Sequence, residues 1–215
     1  MKNKKMLRIV SYGGKIKKLN GIYNKLYAKS IICSFNAKDI YLKNVNFRGS
    51  IFNKVKFLNV KIEGCDFWGT KFKKCKFLNC IFSDCNIVST KFSECIFNKT
   101  EFKYTNIVTT CDSMLNKFID STCNVYKEYP LISNPEYFDD KLGLLKNNLF
   151  LSKTRLFFIS NKKINHLTFY LLLQKYSKEF IAEKILHIFN HENINKLTTY
   201  NTLKIKLKKI THCDK

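Results

Sequence analysis

The sequence predicts an all-β solenoid, a quadrilateral β-helix, followed by a mainly α-helical C-terminal region. Three observations predict this fold: a large apolar residue at every fifth position, polar matches at a spacing of twenty, and the loss of both patterns after Ile107. The chain of 215 residues also holds 19 Phe and 11 Tyr. Such an aromatic content excludes intrinsic disorder, because disordered chains lack the apolar groups needed to bury a core.

The apolar series runs without a gap from Leu42. A period of five fits neither an α-helix, with about 3.6 residues per turn, nor a strand, with about two. These side chains can share one interior only if the chain turns a corner about every five residues. The fourteen positions are Leu42, Phe47, Phe52, Phe57, Ile62, Phe67, Phe72, Phe77, Phe82, Ile87, Phe92, Phe97, Phe102 and Ile107.

Small or β-branched residues stand two positions before the large ones, and five of them are cysteines. Their spacings of five and ten match no common zinc motif. We therefore predict that they are small buried hydrophobes rather than metal ligands or redox centres. These cysteines are Cys65, Cys75, Cys80, Cys85 and Cys95.

Similar polar residues recur at a spacing of twenty, as in Asn46, Asp66, Asn86 and Asn106. Such matches are expected if each residue stacks on the residue twenty positions later, in the next coil. Four five-residue sides therefore form one coil, and neighbouring coils hydrogen-bond about 4.8 Å apart, as parallel strands do.

The segment CDFWGTKFKKCKFLNCIFSDCNIVSTKF, residues 65–92, resembles the pentapeptide-repeat proteins. Their unit is a small residue, a polar residue, a Leu or Phe, and two variable positions. The resemblance implies a right-handed quadrilateral β-helix. It is strong over residues 42–111 and weaker back to Tyr27, where Ala37 holds a large position and where Phe35 and Ile40 indicate a slipped register or a bulge.

The patterns divide the chain into four segments. Residues 1–26 are predicted as a basic N-terminal segment or cap, 27–111 as the β-helix, 112–137 as an irregular connection and 138–215 as a helical region. Within the last segment, apolar spacing predicts one amphipathic helix over 166–190 and either a short strand or a basic helix over 202–210. C-terminal helices often mediate dimerisation in the family, so the resemblance implies a homodimer through this region.

The gyrase-protecting and immunity branch of the family imitates duplex DNA. The net charge of +23 argues against this branch. Residues 27–111 alone hold 14 basic and 6 acidic residues. DNA carries about one negative charge per 1.7 Å of axis, so this alternative is disfavoured. Binding of nucleic acid or an anionic membrane by lysines is a further alternative. It is weakened because 36 of the 39 basic residues are Lys, whereas Arg reads phosphates and bases best.

The sequence contains no nucleotide-binding loop, nucleophile motif or paired-carboxylate signature. We therefore predict no enzyme activity, no catalytic residue and no cofactor. His187 and His191 stand four residues apart on a predicted helix, a spacing that can hold a metal. We expect no metal there, because a zinc site needs a third firm ligand.

The residue after each large position is predicted to point outward, and two outward columns are apolar. We predict a non-catalytic scaffold that binds an unidentified protein partner through these walls, through the C-terminal helices, or through both. The alternative is that the C-terminal region itself covers the columns, because an uncovered apolar patch promotes aggregation. The candidate partner-binding residues are Trp68, Val88, Val108, Leu58 and Leu78.

The sequence indicates a cytoplasmic protein. Its N-terminal apolar stretch ends at Val10, too short for the core of a signal peptide, and its longest apolar run has five residues. Nine cysteines without a signal peptide favour a reducing compartment. The Lys, Asn and Ile bias is typical of an AT-rich genome, so we expect a low-GC bacterium. Export as an effector without a cleavable signal is compatible with this composition.

Overall fold

The computed structural model describes residues 7–9, 21–33, 36–108 and 113–213. Two compact units are present, residues 1–128 and residues 129–215. The first is a parallel β-solenoid and the second is helical. Both parts of the predicted fold class are therefore confirmed.

The solenoid has four walls, numbered here in chain order around one coil. Each wall is a parallel sheet to which a coil adds one short strand or, in part of wall 4, a single bridge. Wall 1 contains β1 (Leu7–Ile9), β3 (Ser30–Cys33), β6 (Ile51–Asn53), β9 (Lys71–Lys73) and β13 (Lys91–Ser93). Wall 2 contains β4 (Asn36–Lys38), β7 (Lys56–Leu58), β10 (Lys76–Leu78) and β14 (Ile96–Asn98).

The two remaining walls complete the square. Wall 3 contains β2 (Gly21–Tyr23), β5 (Tyr41–Lys43), β8 (Lys61–Glu63), β11 (Ile81–Ser83) and β15 (Glu101–Lys103). Wall 4 contains β12 (Asn86–Val88), β16 (Asn106–Val108) and β17 (Asn124–Tyr126), and single bridges extend it back through Asp66 and Asn46 to Leu26. A 3₁₀ helix, Ser113–Phe118, lies between β16 and β17.

Residues twenty positions apart pair across the coils. Phe57 stands opposite Phe77, and Ile62 stands opposite Phe82. Ala37 stands opposite Phe57 in the same register, so the slipped register or bulge expected near Ile40 is absent from residues 36–43. Phe35 lies outside the described residues. The register at Ala37 is kept for a steric reason: a small Ala fits in the position of a large residue without changing the number of residues on that side.

The solenoid extends beyond the predicted limits of 27–111. Strands β1 and β2 lie within the segment that was predicted as an N-terminal cap, and each pairs with a strand of the next coil. At the other end, β17 pairs with β16 although it lies in the predicted irregular connection. This last coil pairs Asn106 with Asn124, a spacing of 18, so a search for a period of twenty could not find it.

Each corner between walls requires a residue with a positive φ. Thirteen non-glycine corners have φ between 47° and 59°, among them Lys54, Lys74 and Tyr104. This left-handed region is readily accessible only to Gly, Asn and Asp. Asn59 and Gly69 occupy it at little energetic penalty, whereas the Lys and Tyr corners must be held by the pairing on either side.

Stacked aromatic rings fill the interior. The rings of Phe57 and Phe77 lie 4.8 Å apart at an interplanar angle of 2°, and Phe77 and Phe97 lie 4.9 Å apart at 7°. On the neighbouring wall, Phe72 and Phe92 stack at 4.9 Å and 4°. Parallel strands are about 4.8 Å apart, so the strand spacing itself places successive rings in contact.

The small residues are buried, as predicted, and they also donate hydrogen bonds. The Cys75 thiol donates to the carbonyl oxygen of Phe52 at 3.5 Å, and the Thr70 hydroxyl donates to that of Phe47 at 2.9 Å. Cysteine and threonine therefore perform the same task at this position. Burial raises the pKa of the Cys80 thiol and raises that of Cys85 well above its ordinary value, so both remain protonated donors.

The second unit holds five α-helices in the part that the structure describes. They are α1 (Pro135–Leu142), α2 (Leu149–Thr154), α3 (His166–Leu173), α4 (Lys178–His191) and α5 (Tyr200–Cys213), with 3₁₀ helices at Gly143–Asn147, Ser160–Lys162 and Ile194–Lys196. Helix α4 packs against α1, α3 and α5. The core includes Phe138 and Phe169, whose rings lie 4.2 Å apart.

One detail of the helical region differs from the sequence prediction, and one alternative that the sequence left open is decided. The single helix predicted over 166–190 is broken in two, because Ser177 caps α4 by accepting a hydrogen bond from the amide of Phe180. Residues 202–210 are helical rather than extended. Leu203 and Leu207 are both buried while Ile205 is 37% exposed, a burial pattern that a helix produces and an alternating strand does not.

We expect Phe77→Ala to lower the free energy of unfolding by about 3–5 kcal/mol, because the stacked rings above and below cannot move into the cavity. Equilibrium urea unfolding followed by circular dichroism measures this change. The control is Lys73→Ala, an exposed residue on wall 1 whose loss leaves the core intact. Equal losses in the two variants would contradict a core held by ring stacking.

Candidate partner-binding surface

Most of the outward column of wall 4 is buried. Val88 is 1% exposed and Val108 is 0% exposed, and Arg48 of the same column is also buried. Val88 and Val108 are therefore not exposed in this structure, and their role in binding a partner stays a prediction.

Trp68 lies in the same outward column of wall 4 and is partly exposed. Its neighbours along the column, Arg48 and Val88, are buried. The structure therefore leaves Trp68 as an isolated partly exposed ring rather than the centre of a stripe. Its role as a partner anchor stays a prediction.

A ladder of amides explains the polar residues that recur at a spacing of twenty on wall 4. The Asn86 amide donates to Asp66 Oδ1 at 3.0 Å, that of Asn106 donates to Asn86 Oδ1 at 2.8 Å, and that of Asn124 donates to Asn106 Oδ1 at 3.0 Å. Asn86 and Asn106 each accept from one neighbour and donate to the other. This ladder satisfies buried polar groups and needs no ligand.

Leu58 and Leu78 lie together on wall 2. The two residues are direct register partners on β7 and β10, and each is half-buried. An exposed amide ladder runs beside them, because the Asn59 amide donates to Asp39 and the Asn79 amide donates to Asn59, both at 2.8 Å. Lys56 and Lys76 stand on the other side of the leucine pair. Ile96, the register partner of Lys76 on β14, is 50% exposed. Wall 2 therefore presents an apolar pair to solvent.

His187 and His191 lie on α4 with their ring centroids 4.7 Å apart, and both are exposed. Within the described part of the chain, no group of three His, Cys, Asp or Glu side chains is placed to hold a metal ion. The pair therefore stands on the surface of the helix without a third ligand from those residues.

Tyr129 forms a partly buried polar cluster that the sequence patterns did not indicate. Its hydroxyl donates to Asn165 Oδ1 at 3.0 Å and accepts from the amide of Leu167 at 3.2 Å. Nearby, His166 Nδ1 accepts from the amide of Ile132 at 3.2 Å. Burial raises the pKa of Tyr129 to about 12 and lowers the pKa of His166. These contacts hold residues 129–132 against the start of α3, which is a structural role.

A family model for pentapeptide repeats matches the chain in eight copies, over residues 38–69 and 63–98. Residues 38–98 of the chain therefore consist of pentapeptide repeats. The resemblance found from residues 65–92 is thereby confirmed, and the matched residues all lie in the described β-helix.

Solved structures similar to the chain are also pentapeptide-repeat proteins. One is from the thylakoid lumen of Arabidopsis thaliana, at 18% identity and a TM-score of 0.21, covering 45% of this chain and 74% of that chain. Two are trypsin-treated forms of QnrB1, a plasmid-mediated fluoroquinolone resistance protein, at 11% and 10% identity and TM-scores of 0.17 and 0.18. They cover 50% and 52% of this chain and 73% and 85% of those chains. Similarities this weak carry no argument about function.

No protein of curated function matches the chain. Among the helices that the structure describes, none is long and apolar enough to cross a membrane.

We expect Asn86→Ala to lower the free energy of unfolding by about 1–3 kcal/mol, because Asp66 and Asn106 each lose a hydrogen-bond partner in a buried ladder. The matched control is Asn98→Ala, an exposed asparagine on strand β14 of wall 2, where the change stays within about 0.5 kcal/mol. Urea unfolding of both variants measures the difference. An equal effect at the two positions would contradict the burial of wall 4.

We expect the second unit to lose stability as the pH rises from about 10 to about 12. The pKa of Tyr129 is raised in the folded protein, so the neutral phenol favours folding and this contribution is lost as the phenol ionises. Thermal unfolding of the wild type and Tyr129→Phe at pH 8 to 12 tests this. The variant is expected to lose less stability than the wild type across that range, and parallel curves would contradict the role of the hydroxyl.

Proposed function

We propose that this pentapeptide-repeat scaffold is non-catalytic and binds a protein partner through wall 2 of its β-helix. The observation that carries the proposal is the in-register pair Leu58 and Leu78, an apolar contact on the outer face of a regular sheet. Single apolar side chains at a surface are ordinary, whereas apolar side chains that lie side by side can mark a site of association. Pentapeptide-repeat proteins are generally non-catalytic, which supports the first part of the proposal.

The repeat architecture suits such a role. Each coil contacts only its neighbours, so a solenoid wall is rigid, and its outward residues can vary without altering the core. The core of this chain follows that rule, because Phe57 and Phe77 stack inside wall 2 while Leu58 and Leu78 face outward on the same strands. A partner would therefore meet a preformed surface and would not have to order it.

The alternative of DNA imitation is disfavoured by the same wall. Lys56 and Lys76 flank the leucine pair, and both side chains are exposed. A surface that imitates DNA must be negative in order to enter a DNA-binding groove, and like charges would repel it. A role for the C-terminal helices in binding or homodimerisation, a cytoplasmic location and an effector role all stay predictions.

The test replaces the apolar pair without changing charge. The Leu58→Ser/Leu78→Ser variant and the wild type are used as baits in affinity capture from lysate of the source cells. The control variant, Ile81→Ser/Tyr104→Ser, removes two exposed apolar side chains from wall 3 and its corner. We expect wall 2 to be needed, with the leucine variant losing captured partner about tenfold to a hundredfold and the control losing little.

Folding of both variants is checked by circular dichroism and thermal unfolding. A partner retained equally by both variants would contradict docking on wall 2. A partner lost equally from both would indicate non-specific apolar adsorption and would also contradict the proposal.

A further inference from the structure

The positive charge of the β-helix is concentrated on two adjacent walls. Walls 1 and 2 and the corner they share carry eight lysines and one acidic residue, Glu94, a net charge of +7 over residues 30–98. All eight lysine side chains are exposed. We name this array the basic ridge, and it consists of Lys38, Lys54, Lys56, Lys71, Lys73, Lys74, Lys76 and Lys91.

The opposite half of the β-helix is balanced. Over residues 41–108, walls 3 and 4 and their shared corner carry four basic and four acidic residues, and two of the acids are directly paired. Lys43 bonds Glu63 at 2.7 Å, and Lys103 bonds Glu101 at 2.7 Å. The other charged residues of this half are Arg48, Lys61, Asp66 and Asp84. A lysine bias in the genome would load all four walls alike, so it does not account for this difference between the two halves.

The lysines of the basic ridge stack on one another. Lys56 stands opposite Lys76 on wall 2, and Lys71 stands opposite Lys91 on wall 1. Neighbouring parallel strands are about 4.8 Å apart, and like charges placed opposite each other are destabilising. Glu94 lies 3.5 Å from Lys74 and is the only acidic residue among these strands and their shared corner. An anionic ligand would relieve this repulsion.

We propose that the basic ridge binds an acidic, extended segment of the protein partner, with an apolar side chain of that segment seated on Leu58 and Leu78. This inference rests on the proposed function of wall 2 and adds the chemistry of the partner. The leucine pair and the lysine pair occupy the same two strands, so one segment can contact both. From Lys38 to Lys91 the ridge spans four coils, about 14 Å, which an extended segment of about five residues can follow.

A nucleic acid fits the ridge less well than an acidic protein segment. Single-stranded nucleic acid is held by aromatic side chains on which bases stack. Among the described residues the exposed tyrosines of the solenoid, Tyr23 and Tyr104, lie on wall 3 and at its corner, away from the ridge. The basic residues of the ridge are all lysines, without the planar guanidinium groups by which arginine binds phosphates and bases. A phosphodiester backbone also offers no apolar group that could pack on the leucine pair.

A planar membrane also fits less well. The ridge occupies two walls that meet at a corner of the square coil, and one plane can contact only one of them at a time. A peptide segment can follow the corner through Lys54 and Lys74 and use the lysines of both walls.

The test uses a fluorescein-labelled peptide of ten residues in which Glu and Leu alternate. Binding to the full chain is measured by fluorescence anisotropy at 50, 150 and 300 mM NaCl. Three other probes are compared at the same salt concentrations: the peptide with Gln for every Glu, a 20-base-pair DNA duplex, and vesicles of phosphatidylcholine with phosphatidylserine. We expect the Glu–Leu peptide to bind most tightly, with an affinity that falls as salt rises.

Two triple variants locate the binding site while removing the same charge. Lys56→Gln/Lys71→Gln/Lys76→Gln removes three lysines of the ridge, and Lys43→Gln/Lys61→Gln/Lys103→Gln removes three from the balanced half. We expect the ridge variant to weaken peptide binding about tenfold and the control to weaken it less than about twofold. The ridge variant should unfold at an equal or higher temperature than the wild type, because stacked like charges have been removed.

Several results would overturn the inference. Tighter binding of the duplex or the vesicles than of the Glu–Leu peptide would do so, as would equal losses in the two triple variants. If the ridge variant still captures a partner whose capture requires Leu58 and Leu78, the acidic chemistry is wrong while docking on wall 2 stands. If the leucines are dispensable for capture but the ridge binds the peptide, docking through the leucine pair falls instead.

Discussion

Pairing of each residue with the residue twenty positions later is the constraint on which the rest of the solenoid depends. Over residues 21–108 it makes the coils the same length, and it places Phe57, Phe77 and Phe97 in one stack with ring separations of 4.8 and 4.9 Å. It also forces a corner after every side, with backbone in the left-handed region even where the residue is Lys or Tyr. The strain of those corners is offset by the hydrogen bonds and ring contacts on either side.

The same register decides what the outer columns can do, because it stacks like on like. A column of Asn is self-sufficient, since an amide both donates and accepts, and Asn86 and Asn106 use both functions inside wall 4. A column of Lys cannot satisfy itself, because an ammonium group only donates and repels its neighbour. Lys56 over Lys76 and Lys71 over Lys91 therefore need an anion from outside their own columns. This asymmetry separates a structural ladder from a surface suited to binding.

Much of the fold was predictable from the sequence, and the parts that were not share a cause. The five-residue spacing of Phe and Cys identifies the interior residues, because each repeat places its own large and small side chains in the core. The start and end of the solenoid were less predictable, since β1 pairs across 23 residues and β17 across 18, outside the period of twenty. The break before α4 depends on one cap, Ser177, whose signal is weak beside a continuous apolar pattern.

The exposure of the outward-facing candidate binding residues was also not predictable from the repeat. Val88 and Leu78 follow large residues in equivalent positions of the repeat, yet Val88 is buried and Leu78 faces solvent. By itself the sequence determined which side chains enter the core and which stack on one another, because both follow from the period of the chain. Only the tertiary structure decided that most of the outward column of wall 4 is buried. The exposure of an outward side chain depends on what packs against it, and no local spacing records that.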